Sequence, residues 1–422
     1  MADSICIFED DHYGNFLPLT YFRPVYDLRC GMTTLREKIL RSYPGVPARL
    51  HCRRYLTDLV REQNLRVAVN SGNARRSLFI NGRLVAEDSI AKRLRLKGND
   101  VVFLQGDTVV AARVSDANLA ALDRALLTGP LTADHFSGLP REEVEEKLVR
   151  YPWDLVANNG SQIAVDFKLL VGNKERIKGR VYPGVHLIGK SDIFVDTGAK
   201  VKPGVVLDAE NGPIFIGKGA TVFPNAVVEG PTSVGEGSLI KVGAKIYENT
   251  TIGEVCKVGG EVEASIIHGY SNKQHDGFLG HAYLGMWVNL GADTNNSDLK
   301  NNYGSVKVVI NGQSVDSGSM FVGLTMGDHS KSGINTMFNT GTVVGVSCNV
   351  YGADFPPKYI PSFCWGGSQS LSVYELDKSV DVARRVMARR KRVMSEAEER
   401  MFHEVFEITR EDRSRVTAHA MA

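Results

Sequence analysis

The 422-residue chain has no run of 18 apolar residues, so a membrane-spanning helix is not expected. Its opening, MADSICIFEDDHYGN, carries acids where a secretory leader would need a basic region followed by an apolar one, and the expected location is cytoplasmic. An excess of either charge is missing too. Fifty basic residues against 48 acidic ones leave a net charge of +2, too little to argue for a nucleic-acid or membrane partner. Cysteine is sparse: Cys6, Cys30, Cys52, Cys256, Cys348 and Cys364 form no C-x-x-C pair and no zinc spacing with histidine. Reduced thiols, buried as small hydrophobes, are expected. What is present, 43% hydrophobic and 23% charged residues, is the balance of a soluble globular protein long enough for two or three domains.

Residues 1–165 read as an α/β domain. SICIF, RVAVN, SLFING and DVVFLQG have the apolar runs of strands, and TTLREKILRSY and ANLAALDRALL have helical spacing. REEVEEKLVR, acidic first and basic last after Pro140, suits a short helix and its dipole. YPWDLVANNGSQIAVDF then reads as a linker into a second domain, residues 166–366.

There the texture changes. From Ile216 an aliphatic residue recurs at every sixth position, through Val222, Val228, Val234, Ile240, Ile246, Ile252 and Val258, with a looser phase earlier at Val195, Val201 and Leu207. A period of six fits neither a helix nor a hairpin series; it is the hexapeptide signature of a parallel β-helix, each unit a flat strand and a bend. The beat resumes at Phe278, Leu284 and Leu290, and again at Met320, Met326, Ser332, Phe338, Val344 and Val350. Val258 and Phe278 are twenty positions apart rather than eighteen, which predicts that HGYSNKQHDG bulges from the coil. TNNSDLKNNYGSVKVVINGQSVDSGS reads as a loop that leaves and rejoins it. Residues 367–422 read as a helical tail, with Ser395 and Glu398 spaced as a capping box. The run Arg389, Arg390, Lys391, Arg392 reads as a solvated helix face, with phosphate binding as the alternative.

GEVEASIIHGYSNKQHDGFLGHAYLGMWVNLGAD, residues 260–293, resembles the acetyltransferase domain of the bifunctional bacterial enzymes that make UDP-N-acetylglucosamine. Nearly all of residues 1–360 resembles the shorter GlmU-like sugar nucleotidyltransferases, through Arg23, Pro24, Arg29, Gly31, Thr34, Glu37 and Lys38 in an R-P then R-x-G-x-x-T-x-x-E-K pattern. The resemblance implies a left-handed parallel β-helix, trimers, and acetyl-CoA as co-substrate. It also implies roles for residues. His275 would be the general base, Phe278 an inward aromatic at the sugar, Asn289 the amide-bearing asparagine, Ala292 the small residue near the thioester, and Lys307 a sugar-site lysine. Beside these implied roles, Glu263 and His281 are further candidate substrate-binding residues, and His281 is the second candidate base. The family's sugar-phosphate arginine and lysine align with Tyr247 and Ser265, and its tyrosine with Phe278, so the acceptor is expected to differ from a simple sugar 1-phosphate.

Acyl transfer to an amine needs a base near neutral pKa and donors where negative charge develops. His275, glycine-flanked and beside Asp276, suits the first role, against the plain reading of a surface histidine; for His268, His281 and His329 packing or loop hydrogen bonding is the plain reading. His275 and Asn289 precede inward positions two units apart, which places them near different corners, roughly 15 to 20 Å apart. A site shared between neighbouring subunits, and hence a homotrimer, is the expectation. Sugar nucleotidyltransferases usually open with a G-x-G-T-R loop, and this chain does not. Arg23, Arg29, Gly31 and Lys38 are the candidate nucleotide-binding residues, or else a structural cluster; Asp107, after a strand, is a candidate Mg²⁺ ligand that turn chemistry explains equally well. The leading expectation is acetyl transfer to an amino-sugar phosphate or a nucleotide-linked amino sugar. The alternatives are a uridylyltransferase that uses the β-helix to trimerise and a non-catalytic nucleotide-sugar scaffold.

Overall fold

The computed structural model describes residues 3–71, 76–87, 89–115, 118, 119, 122, 126 and 129–419; most of the helix expected at ANLAALDRALL lies outside them. The N-terminal domain is built on a seven-stranded sheet. Its strands are β1 (Ser4–Phe8), β2 (Ala48–Leu50), β3 (Ala68–Val69), β4 (Ser77–Asn81), β5 (Val101–Gln105), β6 (Thr108–Val114) and β7 (Arg141–Glu143). They lie in the order β3-β2-β1-β4-β6-β5-β7, with helices α1 (Leu35–Ser42) and α2 (Thr57–Gln63) on the β1–β3 half. Strand order reverses at β1, which makes the carboxyl ends of β1 and β4 the switch-point crevice.

Two expectations fail here. REEVEEKLVR forms β7, not a helix, because β5 offers an unpaired edge: Val102 N–H donates to the Pro140 carbonyl and Val144 N–H to the Leu104 carbonyl, both at 2.8 Å. The expected linker is instead the 20-residue helix α3 (Pro152–Val171). Its interior Asn158-Asn159-Gly160 has poor helix propensity, but a side chain at Gly160 would strike the Asn249 amide of the solenoid, so glycine permits the close approach.

The solenoid is a parallel β-helix with three faces. The first begins at Arg180–Val181 and runs through Lys257–Val258, Asn272–Lys273, a single bridge residue at Asn289, Lys331–Ser332 and Asn349–Val350 to Cys364–Gly366. The second runs from His186–Ile188 to Phe278–Gly280, then Asn295–Asn296 and Met337–Phe338. The third carries nine strands, from Ile193–Val195 to Tyr359–Ile360. The hexad residues form one continuous buried stack.

The break in period is not a bulge. After Val258 the inward positions are Val262, Ile267, Lys273, Leu279 and Leu284, so tightened corners of four or five positions absorb the offset while every strand stays paired. Leu279, not Phe278, therefore fills the core, and Phe278 is only half-buried. Met320 is exposed, whereas Met326, Ser332, Phe338, Val344 and Val350 point inward as the spacing predicts. The segment between Asn296 and Thr325 leaves the coil as expected, and its hairpin (Lys307–Ile310 with Gln313–Asp316) packs on Trp153.

The C-terminal helices α4 (Leu376–Ala388), α5 (Glu396–Ile408) and α6 (Arg410–His419) are not a free tail. Ser395 caps α5 through the expected box with Glu398. Buried Phe402 on α5 meets Phe22 of the N-terminal domain at 4.8 Å and Phe363 of the last coil at 6.4 Å, so the three parts share one core. Among the described residues no helix is long and apolar enough to cross a membrane.

Candidate functional site

The N-terminal motif is a clamp between domains. Arg23 is buried and pairs both guanidinium nitrogens with Asp328 of the solenoid. Lys38, fully buried, donates to Asp166 of α3 at 2.6 Å, and the same carboxylate accepts from Arg41 and from the Met32 N–H, both at 2.9 Å. Gly31 N–H donates to Asn159 and the Gly31 carbonyl accepts from Thr251. Arg29 pairs with Glu254 at 2.8 Å and borders a cavity of about 260 Å³ between the N-terminal domain, the solenoid and α5. Buried His268 and His329 line that cavity, and burial pushes both imidazoles well below the usual histidine range.

At the switch point the ends of β1 and β4 hold ion pairs. Glu9 binds Arg53, and Asp10 binds Arg83 and Asn81. Burial alone would raise the Asp10 carboxyl, but its hydrogen bond with His12 and the pairing with Arg83 outweigh it and hold the pKa at about 2. Asp10, Asp11 and His12 bring three ligand atoms within 4.8 Å of one another, yet the Asp10 carboxylate is already engaged. Asp107 is exposed in the two-residue turn between β5 and β6, apart from that group, so its setting is that of a hairpin tip.

On the solenoid the expected site residues gather in two places. His275 sits at the corner between the first and second faces, exposed beside exposed Asp276. Asn272 pairs with Asn289 one coil on, and Asp293 N–H donates to the Asp276 carbonyl, so Ala292 stacks beneath His275. Asn289 lies on the face that His275 ends. The two are one coil and three residues apart, on the order of 10 Å, not at separate corners as the sequence suggested; the tightened corners shift the register. Along the same edge stand exposed Val242, Ile334 and Tyr351, 64%, 71% and 47% accessible.

His281 occupies the opposite end of the second face. Its Nδ1 lies 2.8 Å from Asp298 Oδ2, and its ring stacks on Phe321 at 4.9 Å. Glu263, one coil away, is raised by burial, an effect that neighbouring His281 opposes. Lys307 is exposed on the inserted hairpin.

Sequence reasoning missed Asp298, the carboxylate that orients His281, and Lys273, an inward position of the stack. Lys273 Nζ donates to the Gly259 and His275 carbonyls at 3.0 and 2.9 Å. Burial lowers its pKa to about 8, although Asp276, Asp293 and Glu261 pull it upward. The unfolded chain keeps this proton up to about 10.5, so between about 8 and 10.5 it binds more protons than the fold, and stability rises with pH across that window. Below about 8 both states are charged and the penalty is constant. Urea denaturation of wild type and Lys273→Met at pH 8 and pH 10.5 should show the difference between them moving in favour of the wild type by up to about 3 kcal/mol. A pH-independent difference contradicts the buried ammonium.

An α/β domain followed by a parallel β-helix defines the class of protein. Residues 5–175 match the family model described as sugar nucleotidyl transferase. The chain is similar to the bifunctional protein GlmU of Synechococcus elongatus, 25% identical over 226 residues that span 48% of this chain and 45% of that protein. It is also similar to a bifunctional sugar-1-phosphate nucleotidylyltransferase/acetyltransferase of Sulfurisphaera tokodaii, 28% identical over 217 residues, 46% of this chain and 52% of that one. The matches thus span about half the length of these relatives. Among solved structures, the UDP-N-acetylglucosamine acyltransferase from Campylobacter jejuni aligns over 55% of this chain and 95% of its own, at 11% identity and a TM-score of 0.22.

Proposed function

We propose that this is a cytoplasmic transferase of nucleotide-sugar metabolism that moves the acetyl group of acetyl-CoA to the amino group of an amino-sugar phosphate or nucleotide-linked amino sugar. The observation that carries the proposal is the edge of the solenoid where exposed His275 stacks over Ala292 with Asn289 on the same face. Among the described residues no hydrogen bond or ion pair engages the exposed His275 ring, so its nitrogens are open to a substrate amine. His275 takes the proton as the amine attacks the thioester carbonyl; the C–N bond forms, the C–S bond breaks, and CoA leaves as the thiol after protonation. Asn289 and corner N–H groups hold the acceptor and the developing oxyanion. His281, oriented by Asp298, is the competing base. The test compares CoA release by His275→Ala and His281→Ala with candidate amino-sugar acceptors. Loss confined to His281→Ala moves the base to the other corner.

The apolar edge supports a homotrimer in which a second copy covers Val242, Ile334 and Tyr351 and closes the cleft over His275. Ile334→Lys should convert the trimer to a smaller species in sedimentation velocity and lower acetyl transfer in proportion. A wild-type monomer contradicts this arrangement.

No step is assigned to Mg²⁺. Asp107 is a lone exposed turn residue and Asp10 is spent on Arg83, so the switch point does not fit a catalytic cation. The sequence has no G-x-G-T-R loop, and Arg23 and Lys38 are committed to buried carboxylates of the interdomain clamp, so no role in nucleotidyl transfer is assigned to them.

A further inference from the structure

A second cavity, of about 220 Å³, lies between the first face of the solenoid and the end of α4. Lys257 and Lys331 line it from the solenoid, Arg389 and Arg390 from just past the helix, and Asn272, Gln274 and Asn289 add polar wall. Among the described residues no carboxylate lines it. Basic residues just past a helix are ordinarily explained by the helix dipole, and Arg389 stands there. That explanation does not reach Lys257 or Lys331, which belong to strands of different coils and face the same space. Nor does a solvated helix face describe Arg390, half-buried with Nη2 donating to Asn272 Oδ1 at 2.9 Å across the cavity.

Like charges lining one small space repel one another, as Arg390 and Arg389 act on Lys257, and the repulsion is relieved when an anion enters; Lys331 Nζ meanwhile donates to the His329 carbonyl at 2.8 Å. Lys257 is lowered first by burial and then by Arg390, Lys241 and Arg389, while burial takes Lys331 to about 8. The volume is enough for a phosphate or diphosphate group. Tyr270 and Trp287, with ring centroids 4.5 Å apart, line both this cavity and the 260 Å³ one, so an esterified ligand has an aromatic exit toward the larger space.

We propose that the cavity formed by Lys257, Lys331, Arg389 and Arg390 binds the phosphate or diphosphate group of a small molecule, and that α4 is docked on the solenoid to complete it. The proposal rests on the charge and shape of the cavity; its wall shares Asn289 with the proposed acetyl-transfer site, and binding measured without acetyl-CoA tests the cavity separately from that reading. It is tested on the full chain by calorimetry with inorganic pyrophosphate and with uridine diphosphate, without acetyl-CoA. Saturable binding, one per protomer and weaker at high salt, is expected. Lys331→Met and Arg390→Gln should each weaken it about tenfold or more. Arg389→Gln, on an exposed side chain, should weaken it several-fold without unfolding risk. Arg385→Gln, on the same helix but paired with Asp381, should leave it unchanged. Tighter binding of uridine diphosphate identifies a nucleotide ligand; equal binding identifies the diphosphate alone. Absence of saturable binding for both probes at low salt, or binding untouched by the Lys331, Arg390 and Arg389 variants, overturns the proposal.

Discussion

His275→Ala should lose roughly 10²- to 10⁴-fold of acetyl transfer in kcat with little change in KM for acetyl-CoA, the range expected when a positioned general base is removed. The variant should fold normally, because the His275 side chain is exposed and the backbone carbonyl that accepts from Lys273 is kept by the substitution. Thermal melting and steady-state CoA release, measured on the same preparation, separate the two quantities. A variant with unchanged melting and full activity removes His275 from the mechanism. A variant with lost activity and lost stability means that the corner is structural.

The largest stability effect is expected at Asp166. Its carboxylate is fully buried and satisfies Lys38, Arg41 and the Met32 N–H at once. Asp166→Ala leaves the Lys38 ammonium in the same dry place without a partner. Breaking a buried pair from one side costs about 3 to 5 kcal/mol. Asp166→Asn, which keeps an acceptor but drops the charge, should fall between wild type and Asp166→Ala. Lys38→Met combined with Asp166→Leu should recover much of the loss, since neither charge is then stranded. Urea denaturation gives the values directly. A loss under about 1 kcal/mol for Asp166→Ala is the size of an exposed pair and contradicts the clamp.

The Lys38–Asp166 clamp also shows where the sequence stops being legible. The aliphatic hexads revealed the solenoid because its contacts repeat at a fixed short period, and each inward residue stacks on a near relative of itself. The clamp has no such local trace. Arg23, Arg29, Gly31 and Lys38 resemble a phosphate cradle when read alone; their partners Asp328, Glu254, Asn159 and Asp166 lie 128 to 305 positions away. The same distance problem hid the helix at residues 152–171, whose Asn-Asn-Gly interior is disfavoured locally and tolerated because it lies against the solenoid. At the His275 edge a shift of one residue decided the outcome. Counting strict sixes put Phe278 inside, whereas tightened corners put Leu279 there, brought His275 and Asn289 onto one face and turned Lys273 into the core. Corner length depends on which small residues can turn the chain, and an aliphatic beat does not report it.

The most direct measurement is product analysis. Wild-type protein is incubated with acetyl-CoA and a panel of amino-sugar phosphates and nucleotide-linked amino sugars, and each acceptor is examined by mass spectrometry beside a thiol assay for free CoA. The account predicts one N-acetylated acceptor formed in equal amount to the CoA released, and none with His275→Ala. No acetylated product from any acceptor, with intact protein and intact acetyl-CoA at the end of the incubation, contradicts it.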